Sequence, residues 1–175
     1  MNAYASARKL ALSGVLVALA IVLKLPILSV PNVEFFTFVV FSSGFLLGTL
    51  EGCLVGIISM SLYTSIITPY GLPPLPIAFA QVFSMALIGI AGGISRMLPT
   101  SFPKRLKFLT IGLFGLGLTL IYDLLTNLAT AYVMGQFFPV MISAIPFALI
   151  HILSNVAIFV VLTPVLLKLS TMITI

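Results

Sequence analysis

Charge is what this sequence has least of: only 6% of its 175 residues are Asp, Glu, Lys or Arg, and only three of them are acidic. A soluble domain carries about 25% charged and about 45–50% apolar residues. With 61% hydrophobic residues, a water-exposed globule is excluded and an integral membrane protein is expected. Tryptophan is absent, and there is one Cys and one His. The lone Cys53 excludes an intramolecular disulfide framework and any paired-cysteine redox or zinc motif. A single His151 cannot complete a site of several imidazole ligands, so neither a metal nor another cofactor is expected. The eight Lys and Arg residues are too dispersed to neutralise a run of phosphates, which argues against nucleic acid as a partner.

What is there, in quantity, is long apolar runs. Compared with the ~20 residues that cross a ~30 Å hydrocarbon core, they divide into six helices near 4–25, 35–50, 52–68, 75–96, 108–135 and 139–168. Two uncharged stretches, 52–95 and 124–167, are too long for one span each. Turn chemistry at Pro69-Tyr-Gly-Leu-Pro-Pro-Leu-Pro76 breaks the first, and Gly135-Gln136 with Pro139 breaks the second. Gly48-Thr-Leu-Glu51-Gly makes a tight inner hairpin between the second and third helices. Arg8 and Lys9 before an apolar run imitate a signal peptide, but no cleavage site leads into a polar mature chain, so the first segment is expected to stay as a membrane helix. The whole chain, 1–175, reads as one compact all-α transmembrane bundle.

Orientation follows from the cations, because short cytoplasmic loops are enriched in them. With the N-terminus inside, Arg8, Lys9, Arg96, Lys104, Arg105, Lys107 and Lys168 all fall on the cytoplasmic side. Lys24 alone lies at the outer face, free to snorkel to the interface or to pair with Glu34. Both termini are then cytoplasmic.

The remaining polar residues share a depth. Gln81 lies 15 residues from Arg96, Asp123 16 from Lys107, and His151 17 from Lys168; at 1.5 Å per residue these are about 22–26 Å above their anchors. Glu34, 17 residues from Glu51, reaches a similar height, with Asn32 just above and Tyr63 slightly deeper. Asp123 with Asn127, and His151 with Asn155, are spaced by four and share a helix face. Polar groups inside a membrane are expensive and mark functional sites by default. Asn32, Glu34, Tyr63, Gln81, Asp123, Asn127, His151 and Asn155 are therefore expected to line an outward-facing small-molecule cavity. The competing reading is that they hydrogen-bond one another and merely hold helices together.

An enzyme is not expected. Phe147-xxx-His151 and His151-xxx-Asn155 superficially match motifs of intramembrane CAAX-type proteases, but Glu34 and Glu51 do not form the paired glutamates that activate water. Ser42-Ser43-Gly44 is not the nucleophile turn of a rhomboid protease, and no nucleophile accompanies Asp123 and His151. Phosphate-binding and dinucleotide fingerprints are missing.

Several segments carry a resemblance. Ala7-xxx-Ala11 and Gly14-xxx-Ala18 form a small-residue ridge beside Arg8-Lys9, and small residues let helices approach closely in lipid. With Val30-Pro-Asn-Val-Glu-Phe-Phe36, Tyr63, Thr68-Pro-Tyr-Gly-Leu-Pro-Pro74, Ala80-Gln81 and Tyr122-Asp-Leu-Leu-Thr-Asn-Leu128, the chain resembles the substrate-binding S component of an energy-coupling factor (ECF) vitamin transporter. The resemblance implies a multi-pass subunit of a prokaryotic cell membrane that captures a vitamin or vitamin precursor at the outer face. It also implies partners: a transmembrane coupling subunit, which would dock on Ala7, Ala11, Gly14 and Ala18, and two ATPase subunits. The donor set fits a neutral or cationic heterocycle better than a multiply anionic ligand. The rival reading is a structural six-helix membrane protein of the MreD cell-shape type, whose polar layer would close on itself and leave no ligand-sized void.

Overall fold

The computed structural model describes residues 3–68, 71–97 and 102–173. Pro69 and Tyr70, from the expected break between the third and fourth helices, lie outside the described residues, as does the side chain of Lys104. Six helices follow one another: α1 (Ala3–Lys24), α2 (Phe36–Leu47), α3 (Thr49–Leu62), α4 (Leu75–Ser95), α5 (Lys104–Met134) and α6 (Phe137–Met172). Five of these segments are long and apolar enough to cross a membrane, α3 when counted on to Ile67.

The exception is α2. Its 12 residues rise only about 18 Å, shorter than the 35–50 expected from sequence. All of its residues, from Phe36 to Leu47, are buried, and it packs against α1, α3, α4 and α6. Apolar residues on every face made it look like a span; they belong instead to a central helix surrounded by protein. Large apolar side chains elsewhere point outward, among them Leu10, Leu109, Phe138 and Val161. Such an apolar exterior is compatible with a membrane location.

Two glycines explain how α2, α3 and α4 come together. Gly48 joins α2 to α3 at φ 122°, a backbone state that a side chain resists. Gly89 on α4 meets α3 so closely that a Cβ there would lie 2.0 Å from the carbonyl oxygen of Gly52. Beside the α2–α3 hairpin, Lys9 pairs with Glu51 at 3.0 Å.

The bundle therefore has a basic end. Arg96, at the end of α4, and Lys107, in the first turns of α5, line one small cleft with Phe45 of α2 and Ser170 of α6. The opposite ends of these helices carry the polar residues. Here α3 does not stop at Leu62 but runs into one π-helical turn, Tyr63–Ile67, closed by the Thr68 N–H donating to the Tyr63 carbonyl at 2.8 Å. Such turns are rare and recur at functional sites. On the far side, α5 ends at Gly135 in the left-handed conformation, which lets α6 start at Phe137. The sixth helix is 36 residues long, with Pro146 and Pro164 inside it, each removing one helical hydrogen bond.

Candidate functional site

A cavity of about 610 Å³ opens between the end of α1, the α1–α2 loop, the π-helical turn, and the turns of α4, α5 and α6 at the end of the bundle opposite the basic one. Of the residues expected at the site, Asn32, Glu34, Tyr63, Gln81, Asp123, Asn127 and His151 all line it. Asn155 is the correction. It sits one helical turn below His151, fully buried, with neither amide atom hydrogen-bonded, and it does not line the cavity. Sharing a helix face with His151 placed it beneath the floor rather than in it. Sequence reasoning also missed further lining residues, among them Thr64, Tyr122 and Thr126. Tyr122 was discoverable, because it adjoins Asp123 and precedes Thr126 by four residues. Thr64 was not, since its direction depends on the π-helical turn.

Of the two readings left open for Lys24, the structure shows the pairing with Glu34. Its ammonium turns inward, 2.6 Å from Glu34 Oε2 and 4.6 Å from the centroid of the Tyr63 ring. A cation over an aromatic face gains electrostatically from the ring, and the carboxylate supplies the partner a desolvated ammonium requires.

Around Glu34 a chain of groups alternates in charge preference. Thr37 Oγ1 donates to Glu34 Oε1 at 2.6 Å. Nε2 of His151 lies 3.6 Å from that same oxygen, too long for a hydrogen bond but within ion-pair range. The other ring nitrogen, Nδ1, donates to Asp123 Oδ1 at 2.7 Å, and Tyr122 meets the imidazole edge-on, with centroids 5.8 Å apart. Burial by itself raises the Glu34 carboxyl, but the Lys24 ammonium and then His151 outweigh it and hold the group well below the usual carboxylate range. A carboxyl depressed by folding stabilises the protein fully above its unfolded value of about 4.3 and loses that contribution as pH falls through its folded value. Thermal stability in detergent is therefore expected to fall on acidification below about pH 4, and less steeply in the charge-free double variant Lys24→Met/Glu34→Leu.

The α1–α2 loop forms one wall and is tied to α6. Asn32 adopts φ 58°, a left-handed state that Asn tolerates better than most residues. Its side-chain amide donates to the Phe147 carbonyl at 2.9 Å, and its own carbonyl accepts from Ser154 Oγ at 2.9 Å. On the α4 side, Thr64 Oγ1 donates to Gln81 Oε1 at 3.4 Å. Among the described residues, no three His, Cys, Asp or Glu side chains are grouped to hold a metal ion.

None of the small-residue ridge lines this cavity. Ala7, Ala11, Gly14 and Ala18 are all exposed on α1, and a Cβ on Gly14 would meet nothing within 4 Å. The ridge takes no part in packing within the chain. The chain matches no protein-family model, no curated protein and no solved structure.

Proposed function

We propose that this chain is the substrate-binding membrane subunit of an ECF-type importer, inserted with both termini cytoplasmic and its cavity facing outward. The observation that carries the reading is the cavity itself. Its volume of about 610 Å³ falls within the ~300–1,000 Å³ typical of sites for small organic ligands. Polar groups from the end of α1, the α1–α2 loop, the π-helical turn, α4, α5 and α6 converge on it, although several also bond one another. A purely structural bundle of the MreD type gains nothing from such a void, since an unfilled space forfeits packing contacts. The basic end of the bundle fits a cytoplasmic side enriched in Lys and Arg.

In this reading a vitamin or vitamin precursor enters from outside and settles against Gln81, Asp123 and His151. Energy comes from partners, because the chain has no nucleotide-binding motif. The exposed ridge on α1 is the surface proposed for the coupling subunit, where small residues permit close backbone approach. Gly14→Leu or Ala18→Leu is expected to reduce co-purification with the coupling subunit at least tenfold while leaving ligand affinity within about twofold, since each 1.4 kcal/mol is tenfold. Equal loss of both would contradict the division between ridge and cavity.

The function itself is tested by denaturing protein purified from its native membrane and identifying released small molecules by mass spectrometry. The expected result is one heterocyclic compound at near-equimolar amount. Folded protein that releases nothing, and binds nothing from a full vitamin panel, contradicts the proposal.

A further inference from the structure

Resting on that capture reading, we infer that the ligand is an uncharged ring compound, held through the side-chain amides of Gln81 and Asn127 rather than through an ion pair. The inference narrows the neutral-or-cationic alternatives that composition alone leaves open.

Every ionisable Lys, Glu, Asp and His side chain on the cavity wall already has a partner within the protein. Lys24 is 2.6 Å from Glu34, and His151 is 2.7 Å from Asp123. These groups sit next to one another, so Lys24, Glu34, His151 and Asp123 form one continuous cluster. An anionic ligand placed on this floor meets Glu34 and Asp123; a cationic one meets Lys24. A ligand of either sign also has to compete with a short internal ion pair, and breaking a buried pair is strongly unfavourable. Asp123 Oδ2 has no hydrogen-bond partner, but it is enclosed without accessible surface, so it offers a ligand cation no direct contact.

His151 Nε2 is likewise without a hydrogen bond but enclosed, so the accessible uncommitted hydrogen-bonding capacity lies instead on neutral side chains. Asn127 makes no hydrogen bond among the described residues and is only partly buried, leaving both donor and acceptor to the cavity. Gln81 uses its Oε1 to accept from Thr64, which leaves the Nε2 hydrogens. Carboxamides on the adjacent helices α4 and α5 can pair with a ring edge that alternates donors and acceptors, each amide offering both functions. Tyr63, Tyr122 and Phe147 supply aromatic wall, which favours a flat ring through offset or edge-on packing. A site that hydrogen-bonds its ligand in this way discriminates strongly, because an analogue lacking the matching groups leaves buried amides unpaired.

The test uses the full-length protein in detergent. Material released on denaturation is passed over strong cation and anion exchangers at pH 7, and the intact protein is titrated by thermal shift with nicotinamide against nicotinate and with pyridoxine against pyridoxamine. The inference predicts that the released compound flows through both exchangers, and that in any pair that stabilises the protein the uncharged member does so more. Retention on either exchanger, or preference for the charged member, overturns it while leaving capture of a small molecule standing. Protein that releases nothing and responds to none of the four probes overturns both. For the released compound, Gln81→Leu and Asn127→Leu are each expected to weaken binding about tenfold or more with the ligand-free melting temperature unchanged. Unaltered affinity in both variants also overturns the assignment.

Discussion

Glu34→Ala is expected to destabilise the protein by about 3–5 kcal/mol, the range for removing one partner of a buried ion pair. The loss arises less from the bond itself than from what remains. Lys24 is held over the Tyr63 and Phe36 rings at the end of a helix, with Glu34 as its only carboxylate partner at ion-pair distance among the described residues. Without the carboxylate the ammonium is desolvated and uncompensated, and Thr37 Oγ1 and His151 lose the same acceptor. The double variant Lys24→Met/Glu34→Leu removes both charges and keeps the volume, so it is expected to recover most of the loss. Reversible unfolding in detergent of the parent, Lys24→Met, Glu34→Leu and the double variant closes the cycle, with Glu34→Ala measured beside them. A coupling near zero between the two positions would mean that Lys24 escapes to water when its partner is removed, and that the pair does not organise the cavity floor.

Gly89→Ala carries the second large effect. The added Cβ would lie 2.0 Å from the Gly52 carbonyl oxygen, and a backbone oxygen cannot rotate aside as a side chain can. The helices α3 and α4 must separate, at a cost of about 3 kcal/mol or more. Because α2 rests on the same helix, with Gly44 against the Gly89 carbonyl, separation also loosens the central helix beneath the cavity. The expected outcome is loss of the monodisperse folded species on size-exclusion chromatography. Gly117→Ala is the control: nothing lies within 4 Å of a Cβ there, and it is expected to behave as the parent protein. Normal folding of Gly89→Ala would contradict the close helix contact.

These two results rest on features of different legibility. The number and order of the helices were readable because hydrophobic run length and scarce charges are direct records of what each segment faces. The common depth of Glu34, Gln81, Asp123 and His151 was readable because helical rise converts residue number into height. Radial position was not. Asn155 shares a face and almost a depth with His151, yet one turn of descent carries it below the cavity floor. The enclosure of α2 was hidden because burial on all sides and exposure to lipid select the same apolar residues. The close glycine contacts, Gly52 of α3 against Gly89 of α4 and Gly56 against Met85, went unread. The more conspicuous small residues of α1 are the ones left outside. Which ridge faces a neighbour within the chain and which faces outward depends on how six helices close together, and no single helix encodes it.

The central claim is that the void above the Lys24–Glu34–His151–Asp123 cluster holds a small molecule. Filling it tests this most directly. Ala148 lines the cavity on α6, and Ala148→Trp places an indole in the space. Parent protein and variant, purified in parallel from the same native membrane, are denatured and their released small molecules quantified by mass spectrometry. The account predicts near-equimolar release from the parent and at least a tenfold loss from the variant, with the variant's unfolding temperature maintained. Equal release from both proteins would place any bound molecule elsewhere and contradict the account.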